Sequence, residues 1–294
     1  MDSLKGKRIL ITGAGIKPLG FVFKDITTGE PSHTPIIVDN IEYKANIGTA
    51  TALECVKAGA TVHLISRTES KLVIIKKWLE ERVAGAQVEY SVIDLTDVKD
   101  LQKTINQIPG DMPIYWVQSI GLGAGTVKIK NDNPYLLIDD LSEDLVEAEI
   151  SVLKNTVSLL RILLPRFRKQ EETRICIVTS MSAIRSVISG SIHMAAKGAI
   201  SRFTNATMLE LDKEKIFVTD IRPGGVDTGM YDTKVVQDTI IEMGKNYGYD
   251  YTKTNMFYMP PTAVGELIVT VLTSKGHVTS VNMVSRGQWP HEGS

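Results

Sequence analysis

Arg8-Ile9-Leu10-Ile11-Thr12-Gly13-Ala14-Gly15 and, after an interruption, Asn46-Ile47-Gly48-Thr49-Ala50-Thr51-Ala52-Leu53 decide how this chain is read. The first stretch is an apolar run that ends in a sharp glycine turn, and the second starts a helix. A further apolar run, Thr61-Val62-His63-Leu64-Ile65, follows that helix. Strand, glycine turn, helix and strand form the βαβ unit that lays a dinucleotide pyrophosphate on a helix N-terminus. Gly13 and Gly48 meet the needs of such a turn, where the chain bends tightly and its N–H groups approach phosphate without an intervening Cβ. Asn46 stands where a second glycine is usual; asparagine tolerates positive φ, and its amide can donate to phosphate. On this stretch alone an ordinary strand, loop and helix with incidental glycines remains open. The gap is the peculiarity: residues 15–45 form a lobe grown out of a turn that normally has only a residue or two there.

Working outward, the 294 residues are 43% hydrophobic and 23% charged, with a net charge of −1. That balance fits a soluble globular protein and implies neither nucleic acid nor an anionic membrane as partner. No linker of Pro, Ser or Gly divides residues 1–294, so one domain is expected. A basic-then-apolar leader and a bilayer-length apolar run are both lacking, which favours the cytoplasm. Cys55 and Cys176 fall on a predicted helix and a predicted buried strand and read as reduced core residues. The five histidines show no metal spacing, so no metal is expected.

Helical and strand patterns alternate along the rest of the chain. Strands are expected at 88–93, 114–117, 175–178, 217–221 and 281–284, helices at 47–57, 70–83, 98–108, 192–211 and 263–272, and one or two helices over 141–167. Such alternation predicts an α/β protein, a doubly wound parallel sheet of the Rossmann kind. Within the lobe, Phe21 to Asp25 and Pro35 to Tyr43 flank a turn-rich centre and predict a hairpin. Its ends emerge at the pyrophosphate turn, so a β-rich flap at the cofactor rim is expected, leaning on the sheet edge or a partner subunit.

In doubly wound sheets ligands bind beyond the carboxyl ends of the strands. The residues there are Thr12-Gly13, Ser66-Arg67, Asp94-Leu95, Gln118-Ser119-Ile120-Gly121, Thr179-Ser180 and Arg222-Pro223-Gly224-Gly225-Val226-Asp227-Thr228. In that order they resemble the short-chain dehydrogenase/reductase family over nearly the whole chain. The resemblance implies cofactor contacts from Thr12, Gly13, Gly15, Asn46, Ile47, Gly48, Ser119 and Gly121. It further implies Asp94 and Leu95 beside the adenine, and Pro223, Gly224, Val226 and Thr228 on the nicotinamide side. Ser66 and Arg67 stand where an acid would grip a ribose diol; a guanidinium there suits a 2′-phosphate, which favours NADP over NAD. The alternative for Arg67 is a solvated surface side chain.

The family pattern breaks at the catalytic segment. Ser180, position 193 and Lys197 keep the family spacing, with 193 and 197 on one helical face. Position 193 is His where the family has Tyr. In the family the Tyr hydroxyl gives a proton to the substrate oxygen, Lys lowers its pKa and holds the ribose, and Ser orients the carbonyl. Gln118-Ser119-Ile120-Gly121 looks more like the enoyl reductase branch, yet position 190, where that branch has Tyr, is Gly. Three readings follow: a reductase using His193 or a tyrosine borrowed from beyond Thr228, a cofactor-binding protein without chemistry, and a non-redox enzyme with His193 as general base. Residues 229–259 carry Tyr231, Tyr247, Tyr249, Tyr251, Phe257 and Tyr258 and read as a substrate lid suited to an apolar or ring-containing small molecule. For Val235 to Met243 a core-packed helix is the alternative. A homodimer or homotetramer is implied by the resemblance.

Overall fold

Strand β1 (Arg8–Thr12) is buried along its whole length, with Ile9 and Ile11 in one hydrophobic cluster and Leu10 in another. Side chains alternate across a strand, so this division marks the centre of a sheet covered on both faces. The computed structural model describes residues 3–24, 28–121, 136–186, 190–232, 234–246 and 258–285. Around β1 lie β5 (Thr61–Ser66), β6 (Gln87–Val92), β7 (Ile114–Gln118), β8 (Thr173–Val178), β9 (Ile216–Pro223) and β10 (Ser280–Met283). They pair in parallel in the order β10-β9-β8-β7-β1-β5-β6.

Helices α1 (Ile47–Lys57), α2 (Glu69–Arg82) and α7 (Pro261–Leu272) supply Leu53, Leu72, Ile75 and Ile268 to the core on one face. Helices α3 (Val98–Gln107), α4 (Glu143–Phe167) and α5 (Ser191–Leu211) supply Leu101, Leu159, Leu163 and Ile200 to the other. Each such side chain, removed from water, contributes about 1.5–3 kcal/mol. Ser142 caps α4 through its side chain at Leu145 N–H, and Asp97 caps α3 at Lys99 and Asp100 N–H. Element boundaries fall within a few residues of those expected. Both cysteines are free and buried in the apolar core, which pushes the Cys176 thiol up to about 12 and raises Cys55 as well.

The inserted lobe is β-rich but paired differently from the expected hairpin. Strands β2 (Ile16–Pro18), β3 (Pro35–Val38) and β4 (Ile41–Ala45) form a separate antiparallel sheet in the order β2-β4-β3. The expected second arm folds on itself about Asp39-Asn40, which have φ of 53° and 62°. A two-residue turn with both residues at positive φ matches the twist of paired strands and keeps the closure local. Among the described residues the expected first arm contributes an isolated bridge, Lys24 with Pro31, and the third strand comes instead from Ile16–Pro18. The lobe leans on α2 rather than on the sheet edge: Ile36 and Val38 join the cluster containing Leu72 and Ile75, and Lys77 Nζ donates to Asp39 Oδ1 at 2.9 Å. Helix α6 (Lys234–Asn246) takes in the stretch 235–243, with Val236 buried. Tyr247, Tyr249, Tyr251 and Phe257 lie outside the described residues. No helix among the described residues is long and apolar enough to cross a membrane.

Candidate functional site

Strand order reverses between β1 and β7, so their carboxyl ends open the crevice in which doubly wound sheets hold ligands. Ser119 closes the floor, its N–H and Oγ both donating to Thr12 O at 2.9 Å, while Trp116 Nε1 donates to Thr12 Oγ1 at 3.2 Å. Gly13 turns the chain at φ +91°, and a Cβ there would stand 2.7 Å from the Ser119 and Ile120 backbone. A Cβ on Gly48 would strike Ser119 Oγ and come within 3.0 Å of Ala14 Cα, so that glycine lets α1 pack against the turn.

The long insertion leaves the turn closed. Ile16 pairs with Ala45, Asn46 N–H donates to Gly15 O at 3.1 Å, and Gly15 N–H donates to Asn46 Oδ1 and Thr49 Oγ1, each at 3.0 Å. Asn46 therefore differs from its expected part. Its φ is −87°, it caps α1 at Thr49 N–H, and its amide donates to Gly13 O at 2.7 Å. Its hydrogen bonds hold the turn together, because the first amides of α1 and the reopened glycine loop need partners within the chain. Thr49 N–H is satisfied by that cap and Ala50 N–H by Asn46 O, which leaves the amides of Ile47 and Gly48 as those this helix N-terminus could offer to an anion.

Ser66 ends β5, and its carbonyl accepts from Ile93 N–H at 3.0 Å, which puts Arg67 beside the end of β6. Burial raises the Asp94 carboxyl, but hydrogen bonds from Thr96 N–H and Oγ1 and the Arg67 charge hold it below the ordinary range. Arg67 and Asp94, expected at opposite ends of an adenosine, are thus electrostatic neighbours. Leu95 packs into the α3-side core, and Gly121 has open space where a Cβ would be.

His193 and Lys197, one helical turn apart on α5, share Glu149 of α4 as a neighbour, a residue the sequence reading missed. His193 Nδ1 lies 2.7 Å from Glu149 Oε1, both side chains being buried. Ionised, Glu149 accepts only, so Nδ1 carries the hydrogen and Nε2 is left for another partner. Burial pushes the Lys197 ammonium below its usual range, while the Glu149 and Asp220 charges oppose the shift. Asp220 is itself held by Thr179, Ser201 and Arg222. Ser180 caps the short turn 181–183, its Oγ accepting from Ser182 N–H at 3.0 Å. Gly190 precedes α5 at φ +73°, a conformation that disfavours tyrosine at that position. A signal for Glu149 was present: it falls on the α4 face that buries Leu145, Ala148, Val152 and Thr156, where an acid needs a partner.

Beyond β9, Pro223 and Gly224 are followed by a loop fixed to residue 259: Met259 N–H donates to Gly225 O and Asp227 N–H to Met259 O, each at 3.0 Å. Thr228 N–H donates to Val226 O at 2.9 Å. Asp227 is 1% exposed and ion-paired with Lys44 Nζ of the inserted lobe at 2.6 Å. No sequence signal marked that pair, whose members are 183 positions apart.

A model of the short chain dehydrogenase family matches residues 44–238. An NADP-dependent 3-hydroxy acid dehydrogenase from Schizosaccharomyces pombe is 25% identical over 283 residues, covering 95% of this chain and 91% of that one. L-sorbose reductase from Gluconobacter frateurii, solved with NADPH and L-sorbose, superposes with a TM-score of 0.68 over 98% of both chains at 20% identity. An NADPH-bound short chain oxidoreductase from Pseudomonas aeruginosa PAO1 with an atypical catalytic center gives 0.71 over 98% of this chain and 99% of that one at 14% identity. At such identities the two structures speak for the fold alone.

Proposed function

The chain belongs to the short chain dehydrogenase family, and from that premise we propose that it is an NADP(H)-dependent oxidoreductase acting on a carbonyl or alcohol of a small molecule. The observation that supports this reading is the buried His193–Glu149 contact, a pair able to carry a proton where the resemblance has the family tyrosine. Glycine at 13, the α1 amides of Ile47 and Gly48, and the space at Gly121 form a cradle that fits a dinucleotide diphosphate. Arg67, with Ser66, would hold a 2′-phosphate; Asp94 and Leu95 would flank the adenine. Pro223, Gly224, Val226 and Thr228 would border the nicotinamide, and Lys197 the ribose. When bound, the nicotinamide supplies or accepts a hydride.

The chain's own residues move the proton. With Nδ1–H donated to Glu149, a neutral His193 presents the Nε2 lone pair and takes the hydroxyl proton of an alcohol being oxidised. For carbonyl reduction the ring must first be protonated, and it then gives Nε2–H to the substrate oxygen while Glu149 balances the imidazolium. Ser180 Oγ orients that oxygen. The two directions therefore ask opposite things of the ring: reduction consumes its Nε2 proton and oxidation delivers one to it. The aromatic residues of the expected lid, 229–259, suit an apolar or ring-containing substrate.

A second reading, general-base chemistry without redox, draws on the same observation, since a ring held by Glu149 is a base in its neutral form. Rates in both directions with NADPH and NADP+ across pH, for wild type and His193→Ala, decide between them. Opposed pH profiles lost in His193→Ala support the dehydrogenase. If no carbonyl or alcohol turns over while NADPH binds, the proposal falls and the second reading gains. His193→Tyr then asks whether Ser180 and Lys197 remain competent with the family's phenol.

A further inference from the structure

We propose that Lys44 is a positioning residue, through which the inserted lobe holds the loop after β9 in its site-facing form. The inference rests on the proposed function only in naming the nicotinamide side as what that loop borders. Lys44 is fully buried on β4, and its Nζ reaches three oxygens: Phe21 O at 2.5 Å, Asp227 Oδ1 at 2.6 Å and Asp232 Oδ1 at 2.9 Å. An ammonium has three hydrogens to donate, and these acceptors use all of them. It also stands 5.2 Å from the centroid of the Phe23 ring.

Asp227 is gripped twice by the lobe, since its Oδ2 accepts from Ser32 Oγ at 2.9 Å. The contact continues on either side. A Cβ on Gly20 would stand 2.8 Å from Asp232, and Lys17 Nζ donates to Gly229 O at 3.4 Å. Phe21, Phe23, Tyr258 and Tyr231 form an unbroken run of rings with centroids 4.8, 4.6 and 4.7 Å apart. The lobe thus starts and ends at the glycine turn beside β1 and fastens to the loop that follows β9, a strand three places away in the sheet.

Lys44 is a cation shared by the buried carboxylate of Asp227 and the partly buried one of Asp232. Without it, Asp227 and Asp232 repel and seek water, and Asp227 carries Val226 and Thr228 away from the site. The lobe acts on the site by fixing that loop before any ligand arrives.

The test is Lys44→Met in the full chain, a neutral stem of similar length. Without cofactor, amide hydrogen exchange in residues 224–232 should rise at least about tenfold, with α1 and β5 unchanged, and Lys44→Arg should restore part of the protection. NADPH affinity, titrated by fluorescence, should fall about tenfold, whereas Arg67→Ala should lower affinity without loosening 224–232. No change in 224–232, or equal acceleration over the whole chain, overturns the inference. Should Lys44→Met not fold, Ser32→Ala removes one grip on Asp227 and should raise exchange in the same segment by about two- to fivefold; unchanged exchange there overturns it equally. Because exchange is measured without cofactor, wild type that fails to bind NADPH would count against the proposed function alone.

Discussion

The glycine turn and helix α5 both depart from the family pattern, and their surroundings answer with different kinds of group. At the turn a whole lobe is added, yet the residues at its two ends restore the geometry: Ile16 faces Ala45, and Asn46 bonds to Gly13, Gly15 and Thr49. On α5 a single residue differs, and the compensation comes from another helix, Glu149, 44 positions away. A backbone need can be met by whichever residues the two ends of the lobe bring together, because N–H and C=O groups are present in every residue. A proton-transfer need cannot. It calls for one side chain of particular chemistry, and only the fold brings that side chain near.

That contrast can be broken at several points. The largest effect is expected at the remote pair: His193→Ala should lower turnover by about 10²- to 10⁴-fold while NADPH still binds, the range for a lost acid–base group. Steady-state kinetics alongside cofactor titration checks it, and turnover lost with Tyr231→Phe instead would move the proton donor to the segment after β9. Arg67→Ala should weaken NADPH by roughly 10- to 100-fold and leave NADH nearly unchanged, the loss of a charge-assisted contact. Equal losses for both nucleotides would detach Arg67 from the 2′-phosphate.

Two predictions concern the glycine turn. Gly48→Ala forces a Cβ against Ala14 and Ser119, and overpacking of this kind costs about 1–3 kcal/mol by denaturant titration. Asn46→Ala should cost about 1 kcal/mol as a lost helix cap, with cofactor affinity falling in step as the turn loosens. If Asn46→Ala cuts affinity with no loss of stability, the amide contacts the nucleotide directly and the turn is not closed by itself.

Much of the scaffold was legible because buried strands and capped helices carry local marks. Arg8 to Thr12 and Thr173 to Val178 are buried at every position and so stand in apolar stretches. The residues at the strand ends were legible for the same reason, since strand order places them. Pairing in the lobe was not, because two positive-φ residues, Asp39 and Asn40, lack the glycine that usually marks such a turn. Glu149 stood in plain view on an apolar helix face, whereas Lys44 gave no hint of partners 183 and 188 positions away.

The facing of Ile16 and Ala45 also bears on how the chain folds. Bringing Gly15 and Asn46 together through a floppy loop of about thirty residues would cost about 3 kcal/mol in chain entropy. The lobe lessens that cost by folding upon itself. Its hairpin about Asp39-Asn40 closes over short sequence distance, an event of about 1–10 μs, and β2 then docks along β4. Once zipped, the lobe shortens the path between β1 and α1 to the span of one strand pair, so the nucleotide crevice assembles as a local contact despite its separation in sequence.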